Sequence, residues 1–261
     1  MTKKYKIDYN KNIGNVIFVV EGGRAESGGT ELRLLKKIFA DILGYEVQEL
    51  RRGCDEFIGY GKSPSSRVFA LNLPKNQLTQ LSEDALDDLF KRLKSEFKIK
   101  PEDCPIFFIY DRDYLSYKHN ELRGKYINRY TDPYSNDDGY QGQLLLNYPA
   151  VESYILSCFA DNTYKLKFYL GKDIKNYIHT NGISDDNIKT DKHIIHATEE
   201  MDICLDAFDL SEYDLDDLAS TLSKVYEIQQ KSVENDNAFF SLSLISLALL
   251  ELGVITEIDD T

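Results

Sequence analysis

Three carboxylates have the type and spacing to hold a metal ion or to transfer a proton. Glu21 directly follows the apolar run Val-Ile-Phe-Val-Val at 16–20. Asp111 and Asp113 directly follow Ile-Phe-Phe-Ile-Tyr at 106–110, with Arg112 between the two acids. Side chains alternate along an extended chain, so Asp111 and Asp113 can face the same way. Carboxylates that converge without a cation raise one another's pKa, and a divalent ion removes that cost. Hard oxygen donors suit Mg2+ or Mn2+, and Mg2+ often binds through a few carboxylates plus substrate phosphate. Taken singly, each acid also suits a turn or a helix start, where such residues are common. Two acidic clusters, each closing a buried strand, argue against coincidence.

The elements around these acids read as an α/β core. The run 16–20 is apolar without alternation, as in a parallel-sheet strand buried on both faces. Thr30 to Leu43 places Leu32, Leu34, Leu35, Ile38, Phe39, Ile42 and Leu43 at helical spacing, and Gly44 is a natural stop. Tyr45 to Leu50 reads as a strand, so 16–50 is expected to form one β-α-β unit with two parallel strands. "GYGKSPSS" reads as a loop and Arg67 to Leu73 as a short strand. A helix starts near Ser82, with Leu86, Leu89, Phe90, Leu93 and Phe97 on its apolar side. A strand at 106–110, a short strand at Gln143–Leu146, and a helix from Ala150 to Ala160 opened by Pro149 complete the unit. In open parallel sheets, functional groups gather at the carboxyl ends of strands.

Three segments in this order, "VVEGG…TE", "FFIYDRD" and "NYPAVESYIL", resemble the TOPRIM domain, the metal-dependent module of topoisomerases, primases and OLD-type nucleases. The third segment has a polar residue, a proline and a glutamate opening an apolar helix. It is similar to the RloB-like and AriB-like TOPRIM proteins of bacterial phage defence. The resemblance covers about 14–160 and departs from the pattern in the long glycine-rich loop between Glu21 and Thr30–Glu31. It implies a TOPRIM-like Rossmannoid parallel sheet flanked by helices over 1–160; residues 161–261 read, from their own pattern and charge, as an acidic, mostly helical region. It implies Glu21 as general acid/base or ligand, Asp111 and Asp113 as Mg2+ (or Mn2+) ligands, and Glu152 as a supporting acid. Glu31 and Arg112 would stand behind these groups; Glu31 and Glu152 equally suit the first turn of a helix. The implied function is a metal-dependent nuclease, a toxin-like antiviral effector controlled by an ABC- or AAA-type ATPase partner.

A nuclease also needs cations. "YLSYKHNELRGKYINRY" after Asp113 carries Lys118, Arg123, Lys125 and Arg129 against the single acid Glu121, interleaved with Tyr114, Tyr117, Tyr126 and Tyr130. Cations neutralise phosphates and tyrosines stack on unpaired bases, which suits RNA, including tRNA, or single-stranded DNA. The same pattern suits a solvated amphipathic segment. Arg51 and Arg52 follow a strand and are further phosphate candidates.

The net charge of −13 lies wholly in residues 161–261, which carry 8 Lys+Arg against 21 Asp+Glu. That half should repel bare nucleic acid. A non-catalytic regulatory module on a TOPRIM scaffold, docking a basic partner through this acidic half, is the alternative function; a phosphotransfer enzyme is a third. "GYGKS" lacks the glycine a P-loop needs, Glu56 standing at that position. The start "MTKKYKIDYNKN" has no apolar leader core, and four dispersed cysteines read as reduced thiols of a cytoplasmic protein. His193 and His196 form an HxxH with no third ligand at zinc spacing, so no metal role is expected there. The apolar run Ala238–Val254 is too polar for a bilayer span. It reads as a buried helix and as the surface of a homodimer, with no membrane partner.

Overall fold

The structure is a computed structural model that describes residues 3–20, 29–50, 56–72, 83–112 and 142–258, with backbone alone at 83–86. The strands are β1 (Tyr5–Ile7), β2 (Asn15–Val20), β3 (Glu46–Glu49), β4 (Phe57–Tyr60), β5 (Arg67–Asn72), β6 (Ile106–Asp111), β7 (Gln143–Tyr148), β8 (Lys167–Phe168), β9 (Phe239–Phe240), β10 (Leu242–Ser243) and β11 (Ile255–Glu257). The helices are α1 (Thr30–Lys36), α2 (Glu83–Glu96), α3 (Glu152–Ser157), α4 (Gly171–Thr180), α5 (Asp191–Ala207), α6 (Ala219–Asp236) and α7 (Ile245–Glu251). The main sheet has seven strands in the order β10-β7-β6-β2-β5-β4-β3. It is mixed where a parallel sheet was expected. β2 runs parallel to β5 and β6, whereas β4 is antiparallel to both β5 and β3, and β10 is antiparallel to β7.

The chain divides into two units. One comprises Asn10–Ile109 and His119–Leu144; the other comprises Met1–Tyr9, Tyr110–Lys118 and Leu145–Thr261. In the first unit, Val16 to Val20 are all fully buried, which explains the unbroken apolar run. Phe18 lies 5.3 Å from the Phe107 ring and 5.5 Å from Phe39, fastening the helix after β2 to the sheet. That helix continues past α1 as a π-helical turn, Lys37–Ile42, and ends at Gly44, whose φ of +73° suits a residue without Cβ.

The expected β-α-β unit over 16–50 has the wrong neighbours. β3 pairs with β4 alone and stands at the sheet edge, and the strands parallel and adjacent to β2 are β5 and β6. Part of "GYGKS" is not a loop: Gly59 and Tyr60 belong to β4. Its glycines make room for a side chain. A Cβ at Gly61 would stand 3.0 Å from the Tyr45 ring, whose hydroxyl lies 2.9 Å from Ser66 Oγ. Glu56, at the missing P-loop position, is buried and takes a bidentate contact from Arg92 on α2, at 2.9 and 3.1 Å.

In the second unit, β1 pairs antiparallel with β11, so the N-terminal strand packs with the last one. The Tyr5 and Tyr213 hydroxyls both donate to the buried Asp202 carboxylate on α5. Burial pushes the Tyr5 phenol far up, and donation to Asp202 adds to it. The run 238–254 is not one helix. It forms β9, β10 and then the short α7, because Phe240 pairs its backbone N–H and C=O with the Gln229 side chain. Among the described residues no helix is long and apolar enough to cross a membrane.

Candidate functional site

Asp111 is the last residue of β6, at the carboxyl end of a strand whose preceding five residues are buried. The parallel register pairs Val20 at the end of β2 with Ile109 on β6. The side chain of Asp111 is half-buried and held in place. Its Oδ1 accepts the Val151 backbone N–H at 2.7 Å. Asn147 on β7, fully buried, sets Nδ2 at 3.4 Å from the Tyr110 carbonyl and 3.5 Å from Asp111 Oδ1. The amide orientation of Asn147 is set from its other end, where Oδ1 accepts the Ser243 hydroxyl at 2.6 Å. The Arg112 N–H donates to the Asn147 carbonyl at 2.8 Å.

This arrangement fits a hard cation. A carboxylate offers two oxygens to a hard cation, and the Val151 contact fixes the direction in which Asp111 presents them. Asn147 and Ser243 supply the outer hydrogen bonds that orient a ligating carboxylate. In the sequence Asn147 stands out only as a polar residue shortly before a proline. The signal for its role is a polar residue directly after the apolar Leu144–Leu146, where burial demands partners.

Glu152 opens α3, which is shorter than the expected 150–160 helix. Its side chain is buried, and Lys175 Nζ on α4 stands 3.7 Å from Oε1. It lies one residue beyond the Val151 N–H that holds Asp111. Arg112 is fully buried, with its guanidinium carbon 5.6 Å from the Phe239 ring centroid and 5.9 Å from that of Tyr226. It packs against aromatics inside the second unit. Glu31 lies in the first turn of α1 and is 8% exposed. Glu21, Asp113, Arg51, Arg52, Lys118, Arg123, Lys125 and Arg129 lie outside the described residues.

A second cluster was missed. The HxxH motif lacks a third ligand in sequence, yet tertiary structure brings Asp161 and Glu200 to His196. One donor atom from each lies within 4.8 Å of the others, a grouping that could hold a metal ion. His196 and Glu200 are four apart on α5, hence on one face. Asp161 comes from the turn after α3. His193 is otherwise engaged: its Nδ1 accepts the Thr190 N–H at 3.2 Å as part of a capping box that starts α5, and its ring lies 4.7 Å from Phe159. His196 Nδ1 lies 2.7 Å from the Ser157 carbonyl and Nε2 lies 2.9 Å from Asp161 Oδ1. Burial opposes its charge, but the Ser157 carbonyl and the Asp161 and Glu200 carboxylates outweigh burial and hold the imidazolium above its ordinary range.

No protein-family model matches the chain, and no curated protein or solved structure matches it either.

Proposed function

We propose that the protein is a Mg2+-dependent nuclease that cleaves phosphodiester bonds in RNA, tRNA included, or in DNA. The observation that carries this reading is the Asp111 carboxylate at the carboxyl end of a buried strand, oriented by a backbone N–H and the buried Asn147. In this reading Asp111 and Asp113 hold the ion, with Glu21 as a further ligand or as the base that takes a proton from the attacking water. The ion, when bound, neutralises phosphate charge and lowers the pKa of a water. Val151 and Asn147 keep the Asp111 carboxylate from rotating, and Glu152 adds negative charge behind Val151. Lys118, Arg123, Lys125 and Arg129 contact the phosphate backbone, and the interleaved tyrosines stack on unpaired bases. The resemblance to defence effectors adds the proposal that an ATPase partner governs when the site acts.

The test is cleavage of labelled single-stranded RNA, tRNA and single-stranded DNA by the full chain with Mg2+, Mn2+ or chelator. Cleavage should require the metal and should be lost in Glu21→Gln and in Asp111→Asn. Equal cutting by both variants, or cutting in chelator, would sink the site. Lys118→Glu with Arg123→Glu should weaken substrate binding and flatten its salt dependence. Metal-independent binding without any cleavage would favour a binding module on the same scaffold.

A further inference from the structure

We propose that His196, Asp161 and Glu200 form a binding site for one divalent transition-metal ion of the Zn2+ class, at the opposite end of α3 from Asp111. The tautomer carries the argument. The Ser157 carbonyl can only accept a hydrogen bond, so His196 Nδ1 bears the proton. Nε2 then faces a carboxylate oxygen at 2.9 Å, a position that demands either a second ring proton or a cation. A backbone carbonyl on the remote ring nitrogen is the usual way a metal-binding imidazole is oriented.

Glu200 supplies an independent observation. It is only 3% exposed, and both of its hydrogen bonds, from the Thr163 N–H at 2.8 Å and the Thr163 hydroxyl at 3.1 Å, fall on Oε2. No described residue donates to Oε1. A buried carboxylate whose protein donors all fall on one oxygen, grouped with an imidazole nitrogen and a second carboxylate, is suited to a cation.

Size and charge agree. Around a tetrahedral ion with bonds of about 2.0–2.2 Å, neighbouring donors stand about 3.3 Å apart. The spacing of Nε2 and Asp161 Oδ1 is close to that, and all three donors fall within a 4.8 Å envelope. The Asp161 side chain is 83% exposed, so it can adjust and leave a coordination position open to water. Two carboxylates and a neutral imidazole neutralise a 2+ charge. Imidazole beside carboxylates favours Zn2+ over Mg2+ or Ca2+. Loading displaces the Nε2 proton: Zn2+ plus the imidazolium form becomes the zinc complex plus one H+. The bound ion would tie the Ser157–Asp161 end of α3 to α5.

The test is isothermal titration of the full chain with ZnCl2 under reducing conditions, in an Asp111→Asn background so that the proposed Mg2+ site contributes nothing. One equivalent should bind, with proton release seen as a heat that changes with the ionisation enthalpy of the buffer. Asp161→Asn, which alters an exposed side chain and should leave folding intact, and His196→Gln should each weaken binding at least about tenfold. Zn2+ should raise Tm in the parent and not in His196→Gln. Absence of a stoichiometric equivalent, or equal binding by both variants, would overturn the site and leave a proton-linked His196–Asp161 ion pair.

Discussion

Asp111→Asn separates chemistry from architecture at the candidate nuclease site. The amide has the shape of the carboxylate, and its oxygen can still accept the Val151 N–H that now lies 2.7 Å from Oδ1. A hydrogen bond to a charged group contributes about 1.5–3 kcal/mol and a neutral one about 0.5–1.5 kcal/mol. The variant should therefore lose about 1 kcal/mol of stability. Asp111→Ala removes the acceptor and strands the buried Val151 N–H, adding about 1–3 kcal/mol. Activity should behave differently. Removing the charge from a metal ligand should lower kcat/KM at least about 100-fold, equivalent to about 2.7 kcal/mol of transition-state stabilisation. Metal-dependent cleavage of labelled RNA and single-stranded DNA, paired with urea unfolding, reads both quantities. If Asp111→Asn cut as fast as the parent, Asp111 would be no ligand. If it lost several kcal/mol of stability, its role would be structural.

The Glu56–Arg92 pair offers a second test, because both side chains are largely buried, at 6% and 17% exposure. Arg92→Met removes the cation paired with the Glu56 carboxylate, which keeps the Asn72 N–H at 3.1 Å, and should cost about 3–5 kcal/mol in urea unfolding; an unchanged unfolding midpoint would contradict this. Gly142 has φ +143°, and a Cβ there would stand 2.5 Å from Phe108 Cε2 and 3.1 Å from the Ile106 carbonyl oxygen. Gly142→Ala should lower stability by about 1–3 kcal/mol, measured by thermal unfolding, and an unchanged Tm would refute the clash. In chelator, the raised His196 pKa contributes stability that is complete below the unfolded value near 6.5 and fades as pH rises through the folded value. The Tm difference between the parent and His196→Gln should shrink over that range, and a constant difference would show that the titration does not matter.

Several elements could be read directly from residue pattern. Val16–Val20 and Ile106–Tyr110 carry unbroken apolar runs because both faces of those strands are covered, and each stands as a strand at its expected place. Leu89 and Leu93 mark the buried side of α2. The strand β4 escaped because four residues that include Gly59 give almost no periodic signal, and Gly59 and the following Gly61 make room for the Tyr45 ring. The apolar run 238–254 misled because apolarity reports burial and not conformation. There the Gln229 side chain takes the place of a strand partner.

The sequence by itself determined which residues go inside, where the acid Asp111 follows a buried strand, and that an α/β core precedes an acidic, largely helical half. Those properties depend on neighbours along the chain, whose spacing sets which face meets water. Tertiary structure alone decided that β3 is an edge strand three places from β2, that Asn147 and Val151 orient Asp111, and that Asp161 meets His196 from 35 residues away. Pairing between distant segments is settled by the packing of the whole core, and hydrophobic pattern specifies burial without naming the partner.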